Sequence, residues 1–404
     1  MTTETRTAPA FPMPRTCPHA PPEGYGPLRE QGAVVPVTLP DGGEAWVVTR
    51  HAEVRFVLSD PRFSADAMRP GFPLGRLVNG GGVPLTTRTR PFMRTDAPEH
   101  TRLRRMLHAE FGVRRLEELR PTIQRFVDEL LDAVIDGGDR ADLVAALSEP
   151  LQSAVFCELL GVPREDRLLF QERTEQWTLR TSTVEQRRQA MDDLMAYLDD
   201  LVTEKIAHPS DDLIGRLITG YHRTGQLHRD QLVSSVRVLL TAGHDTTANM
   251  ISLGVFTLLT EPDLRARLAA HPELLPGAVE ELLRFHTPVD FITARLALED
   301  VEVGGRLIRA GEGVFALCAS ANRDERAFPD PDRLDITRRS RHHVAFGFGP
   351  HQCIGQNLTR IELQIVYRTL FERLPDLRLA AEVADLPFKH DGFAFGLYSL
   401  PVEW

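Results

Sequence analysis

Residues 229–260 narrow the choice of fold more than any other stretch. The second half of this segment is nearly apolar, and a helix that is apolar all round has to be buried on all sides. It therefore needs a surrounding body of other helices. Its uncharged part, 246–260, has 15 residues and directly follows Asp245, whereas a bilayer span takes about 20. The segment reads as the inner helix of a globular protein. The N-terminus, MTTETRTAPAFPMPRTCP, is polar and Pro-rich and lacks the apolar core of a signal peptide. Residues 1–10 are expected to be disordered, with no contact to a membrane and a cytoplasmic setting.

The rest of the chain supplies that body. Residues 34–49 are two β-rich runs around Asp41-Gly42-Gly43, the pattern of a hairpin. From His51 onward helical patterns dominate: HAEVRFVLSD before Pro61, a helix from His100 to a stop at Gly112, and an amphipathic helix from Arg120 capped by Gly137 and Gly138. Two helices follow the inner one, around 262–270 and 272–285. A β-like and loop region spans 288–340, and a last helix runs from near Ile354 to before Pro375. The fold class expected is mainly α with a minor β region, without repeats or a linker that would split the chain.

Four cysteines, Cys17, Cys157, Cys318 and Cys353, form no CxxC pair and suit a reducing compartment. One of them has unusual surroundings: Phe346-Gly347-Phe348-Gly349-Pro350-His351-Gln352-Cys353-Ile354-Gly355. Three glycines in ten residues allow a tight loop that a large flat ligand can approach. The loop brings Cys353 to a helix N-terminus, where N–H groups and the dipole favour a thiolate. Taken alone, Cys353 could equally be a buried structural cysteine. Upstream, Glu281 and Arg284 stand at i and i+3 and can pair, an arrangement common on surface helices. Within the apolar helix, Ala242-Gly243-His244-Asp245-Thr246-Thr247 puts a glycine and an acid–alcohol pair where a helix interior does not favour them. Alone, that pattern also fits a core helix with a satisfied threonine.

Together these motifs resemble the cytochrome P-450 family, from about Phe11 to the final Trp404. The FxxGxxxCxG pattern is its haem-binding loop, so the resemblance makes Cys353 the thiolate ligand of haem b, with Phe346, Gly347 and Gly355 shaping the loop. It implies one domain over 1–404, a triangular helical prism with the haem between the inner helix and the cysteine helix. Glu281 and Arg284 become a buried structural pair joined by a further arginine, Arg333 in Phe328-Pro329-Asp330-Pro331-Asp332-Arg333. Ala242 and Gly243 leave room for O2, Thr246 hydrogen-bonds the activated oxygen, and Asp245 relays protons. The haem carboxylates fall to His100 and Arg104, to Arg295, and to His351. Val238, Leu239, Thr241, Phe291, Ile292, Phe393, Ala394 and Phe395 lie near the substrate pocket by family position.

What the resemblance implies is a monooxygenase that inserts one oxygen atom from O2 into a small-molecule substrate. No GxGxxG lies between a strand and a helix, so electrons from NAD(P)H are expected through ferredoxin and ferredoxin reductase. Epoxidation, desaturation and oxidative coupling stay open beside hydroxylation. A non-catalytic haem sensor has no use for the Asp245–Thr246 pair. The formal net charge of -10, from 57 acidic and 47 basic side chains, argues against nucleic acid as a partner. A local basic patch for an acidic ferredoxin is still expected from Arg102, Arg105, Arg114 and Arg115 and from Arg338, Arg339 and Arg341. Residues 69–84 hold five glycines and three prolines. By family position they roof the pocket, with Gly80, Gly81 and Gly82 the most pliable point, and suit a bulky, mostly hydrophobic metabolite of macrolide, polyketide or terpenoid class.

Overall fold

A computed structural model describes residues 8–76, 91–178, 182–290, 292–390 and 394–404. The inner helix runs Arg229–Thr260, 32 residues, and begins with a capping box in which the His228 N–H donates to Gln231 Oε1 at 3.3 Å. Every residue from 247 to 258 is buried. Two of its interior hydroxyls are satisfied by the helix itself: Ser252 donates to the Ala248 carbonyl and Thr257 to that of Leu253. This all-round burial is what the absence of charge after Asp245 requires.

The helices Val113–Asp136, Glu149–Leu160, Val184–Ala207 and Gln356–Arg373 join it in one large apolar core. The cysteine helix, Gln356–Arg373, is keyed to the inner helix at two points. Thr247 Oγ1 and Thr359 Oγ1 lie 3.2 Å apart, and the Tyr367 hydroxyl donates to the Met250 carbonyl at 2.6 Å. Gly254 makes the second contact possible, since a Cβ there would fall 1.9 Å from the Tyr367 oxygen.

The main part of the minor β region is a five-stranded sheet in the order Val34–Thr38, Glu44–Val48, Gly313–Ala316, Ala294–Ala297, Phe63–Ser64. The first two strands are the expected hairpin, with Val34 opposite Val48, and only the second and third run parallel. The sheet carries Arg295 in its fourth strand, and that is its bearing on the site.

Three local expectations change. The helix containing His100 spans Glu99–His108 and stops before Gly112. Gly112 is instead extended and caps the next helix, accepting the Leu116 N–H at 3.1 Å. That next helix starts at Val113, not at Arg120, and runs through Pro121, giving up the one hydrogen bond that proline cannot donate. The described part of the roof segment is anchored: Phe72 and Leu74 are buried in the apolar cluster against the sheet, and Pro73–Arg76 forms a single 3-10 turn. Gly80, Gly81 and Gly82 lie outside the described residues.

Candidate active site

The cysteine loop folds as its glycines demand. Gly347 and Gly349 have φ of +69° and +73°, which L side chains rarely adopt, and a Cβ on Gly349 would meet the Leu58 carbonyl oxygen at 2.7 Å. The turn lets the Cys353 N–H donate to the Phe346 carbonyl at 2.8 Å. Cys353 then stands just before Gly355, the cap of the cysteine helix. Burial raises the thiol pKa, against the N–H groups of Gly355 and Gln356 and the cations Arg104 and Arg360, which favour the thiolate. The side chain lies deep in the protein, yet its own surface is exposed rather than packed. Cys157 and Cys318, by contrast, are covered and pushed up to about 12 by burial.

Beside the loop the structure gathers cationic and polar groups. The rings of His100 and His351 stack with centroids 3.8 Å apart. Arg104 donates to the Gln352 carbonyl, tying its helix to the loop. Arg295 is buried, and its described hydrogen bond goes to its own strand, at the Ala294 carbonyl. Burial lowers His351 to about 2, with help from Arg295, His100, Arg104 and Arg94. His100 falls to about 4, from burial and then Arg104 and Arg295. Among the described residues, His100 Nε2 and His351 Nδ1 have no hydrogen-bond partner. The nearby carboxylate, Asp96, is already engaged by Ser64, the Ala65 N–H and Arg69.

Arg94 has no counterpart in the sequence reading. It is buried, held to about 10 by burial and by Arg295, and donates to the Ile292 carbonyl at 3.0 Å. A cluster of buried cations with orphaned ring nitrogens calls for an anion. The two carboxylates of a haem meet that demand, so these residues fit the group. The sequence signal for Arg94 is an arginine that closes the apolar run Pro91-Phe92-Met93.

On the inner helix, Ala242 is exposed although its surroundings are interior. Thr246 Oγ1 donates to the Ala242 carbonyl at 2.8 Å. Asp245 is ion-paired: Lys389 Nζ lies 2.9 Å from its Oδ1, with the lysine side chain only 5% exposed. The pairing bridges 144 residues and was not foreseen. Gly243 has a different reason from the one expected. A Cβ there would strike the Phe156 ring at 2.3 Å, so this glycine admits the neighbouring helix, and Ala242 is left as the small residue with open surface.

Glu281 and Arg284 are fully buried and pair at 2.7 Å. Their third member is Arg338, not Arg333. Arg338 Nε reaches Glu281 Oε1 at 3.1 Å with an 11% exposed side chain, whereas Arg333 is 70% exposed and pairs with Asp335. The Asp335 N–H and Ser340 Oγ also donate to Glu281, so the chain passes Arg333 before turning inward.

Among the pocket residues, Val238 and Leu239 are buried and Thr241 Oγ1 donates back to Arg237. Ile292 is half-buried beside Arg94, and Ala394 is buried. Phe395 is enclosed by a stacked Phe388 ring and the Arg15 guanidinium 3.8 Å above it, which makes it a packing residue rather than a pocket wall. Phe291 and Phe393 lie outside the described residues. The expected basic patch shrinks. Arg338 is half-buried and turned inward to Glu281, and Arg114 and Arg115 pair with Glu118. Arg102, Arg105, Arg339 and Arg341 remain exposed.

Comparison with known proteins agrees with this arrangement. The family model described as Cytochrome P450 matches residues 167–375. Cytochrome P450-SU2 of Streptomyces griseolus is 48% identical, with all of both chains covered. Pentalenic acid synthase of Streptomyces avermitilis is 47% identical, over 98% of this chain and 97% of the relative. The crystal structure of cytochrome P450 MoxA from Nonomuraea recticatena superposes with a TM-score of 0.92 at 49% identity, covering 98% of both chains. That of mycinamicin VIII C21 methyl hydroxylase from Micromonospora griseorubida, bound to mycinamicin VIII, gives 0.90 at 42% identity, covering 98% of this chain and all of the other. No described helix is long and apolar enough to cross a membrane. With its cysteine loop, its buried cations and full-length relatives above 40% identity, this chain belongs to the cytochrome P450 family and is a haem-thiolate monooxygenase.

Proposed function

We propose that the protein hydroxylates a bulky, mostly hydrophobic secondary metabolite of macrolide, polyketide or terpenoid class. In this reading it works in the cytoplasm with haem b and draws electrons from NAD(P)H through ferredoxin reductase and ferredoxin. One observation carries the chemistry: a deep, uncovered cysteine sulfur faced by two N–H groups, beside a cluster of cations whose ring nitrogens His100 Nε2 and His351 Nδ1 have no partner among the described residues. Bound haem with thiolate ligation supplies O2 activation. Cys353 is the ligand, and the N–H groups of Gly355 and Gln356 hold the negative charge on its sulfur. Arg104, Arg295, His100 and His351, with Arg94, bind the carboxylates. Ala242 keeps the neighbouring space clear.

Thr246 donates to a backbone carbonyl, which leaves its hydroxyl oxygen free to accept a hydrogen bond on the other side. Asp245 takes a proton from solvent and passes it on toward Thr246, with Lys389 fixing one carboxylate oxygen. The substrate class is supported by relatives named for mycinamicin VIII and pentalenic acid and by the apolar residues Val238, Leu239 and Ile292. The test is a spectral titration of the haem protein with a panel of macrolides, polyketides, terpenoids and small polar compounds. It is followed by turnover under 18O2 with ferredoxin, its reductase and NADPH. A product heavier by one labelled oxygen supports the reading. Binding confined to small polar compounds, or a product without label, overturns it.

A further inference from the structure

Helix Leu275–His286 carries two consecutive buried carboxylates, and only Glu281 belongs to the pair with Arg284. Glu280 grips other partners. Its Oε1 accepts from Arg360 Nε at 2.6 Å, and its Oε2 accepts from Arg360 Nη2 and His343 Nε2, both at 3.1 Å. His343 Nδ1 accepts the Ala345 N–H at 3.1 Å, so Nε2 carries the ring's proton and the imidazole donates as a neutral group. Burial alone would raise the Glu280 carboxyl, but the bonds from His343 and Arg360 outweigh it and hold the group at about 2. The network therefore contains one anion, one cation and one neutral donor, and its charge sums to zero.

The cation of this network belongs to the cysteine helix. The Arg360 guanidinium lies 4.7 Å from the centroid of Phe346, and the Phe346 carbonyl accepts the Cys353 N–H. The Glu280 and Arg360 side chains are 12% and 14% exposed, and solvent screens charges so placed less than it screens surface pairs. What the sulfur feels of Arg360 thus depends on Glu280.

We propose that Glu280 is a tuning residue: by neutralising Arg360 it sets the electrostatic potential at Cys353, and with it the reduction potential of the iron that Cys353 binds. The proposal rests on Cys353 being that ligand. Removing the anion leaves an uncompensated cation, which favours the electron-richer reduced state. Removing the cation does the opposite.

Spectroelectrochemical titration of the haem protein tests this. Glu280→Gln is expected to raise the potential by about a tenfold change in the ferric–ferrous equilibrium, 59 mV for one electron. Arg360→Gln is expected to lower it comparably, Arg360→Lys to leave it near wild type, and the double variant Glu280→Gln/Arg360→Gln to fall back between the two singles. Opposed single shifts that cancel in the double support the proposal, because damage to packing does not change sign. Two shifts in the same direction, or none, overturn it. Where Glu280→Gln fails to retain haem, Arg360→Gln against Arg360→Lys decides: a lower potential in the first alone supports tuning, and equal potentials overturn it. Failure of the ligand reading is seen separately, as a Cys353→Ser protein that keeps the thiolate-type spectrum of its reduced carbonyl complex.

Discussion

Glu362 should make the folded protein lose stability as pH rises through neutrality, and Glu362→Gln should remove that loss. The residue sits on the cysteine helix, 1% exposed, with the Gln152 amide donating to its Oε2 at 2.5 Å. Burial raises its carboxyl from 4.5 to about 7, against a smaller opposing effect of Gln152. Between those two values the folded chain holds a proton that the unfolded chain has released. Stability therefore falls as pH rises across this window, and the full deficit stands above it. A shift from 4.5 to about 7 corresponds to about 3 kcal/mol at about 1.4 kcal/mol per pH unit. Glutamine cannot ionise and keeps the shape and a hydrogen bond, at a cost of about 1 kcal/mol for imperfect geometry. The net gain at pH 8 is then about 2 kcal/mol, against none or a slight loss at pH 4.5. For a chain of 404 residues, with an unfolding entropy of about 2 cal/mol/K per residue, that gain raises Tm by about 2–3 °C. Thermal melts of haem-loaded wild type and variant at pH 4.5, 6 and 8 measure it. Equal Tm differences at all three pH values would refute the argument, since only an ionisation confined to the folded site makes the benefit depend on pH.

The corrected triad predicts that Arg338→Ala destabilises by about 1.5–3 kcal/mol, because it removes a charged hydrogen bond to Glu281, which keeps its pair with Arg284, while Arg333→Ala stays within about 0.5 kcal/mol; melts of both variants check this. Cys353→Ser should abolish the thiolate-type spectrum of the reduced carbonyl complex, and replacement of Cys17, Cys157 or Cys318 should leave it intact. Thr246→Ala should consume NADPH normally but release more hydrogen peroxide per product, and Asp245→Asn should slow turnover by about 100-fold, the low end of acid–base contributions; unchanged rate and coupling in both would remove the pair from the reaction. Reduction by an acidic ferredoxin should slow as salt rises, since exposed charges are screened over about 10 Å at 0.1 M. Removing Arg105, Arg339 and Arg341 should flatten that dependence, and a salt-independent rate in wild type would count against the patch.

The architecture was legible wherever one residue type leaves a single option. An uncharged run after Asp245 can only be an inner helix, and Gly347 and Gly349 at positive φ leave only a tight turn before Cys353. Helix ends were less legible. Gly112 can close one helix or open the next, and the choice went to the carbonyl that caps Leu116. The helix expected from Arg120 begins at Val113 instead, because the apolar stripe on both sides of Pro121 carries it through.

At the site, the ligand and the acid–alcohol pair show in the sequence because their chemistry needs fixed spacing along one loop or one helical turn. The groups that balance their charges do not show, because compensation is set in space. Arg338 rather than Arg333 reaches Glu281, since the turn at Asp335, not the count of residues from Glu281, decides which guanidinium points inward. Lys389 meets Asp245 across 144 residues. A signal for that contact did exist: Lys205 and Lys389 are the chain's only lysines among 47 basic residues. Both are buried against an aspartate, Lys205 with Asp212 and Lys389 with Asp245. In a chain that otherwise uses arginine for its basic side chains, a lysine closing the apolar run Leu386-Pro387-Phe388 marks a compact ammonium that has a carboxylate waiting for it. The same logic separates Glu280 from Glu281. They are adjacent in sequence and chemically identical, and only the helix rotation between them sends one to the scaffold arginines and the other to the arginine beside the cysteine.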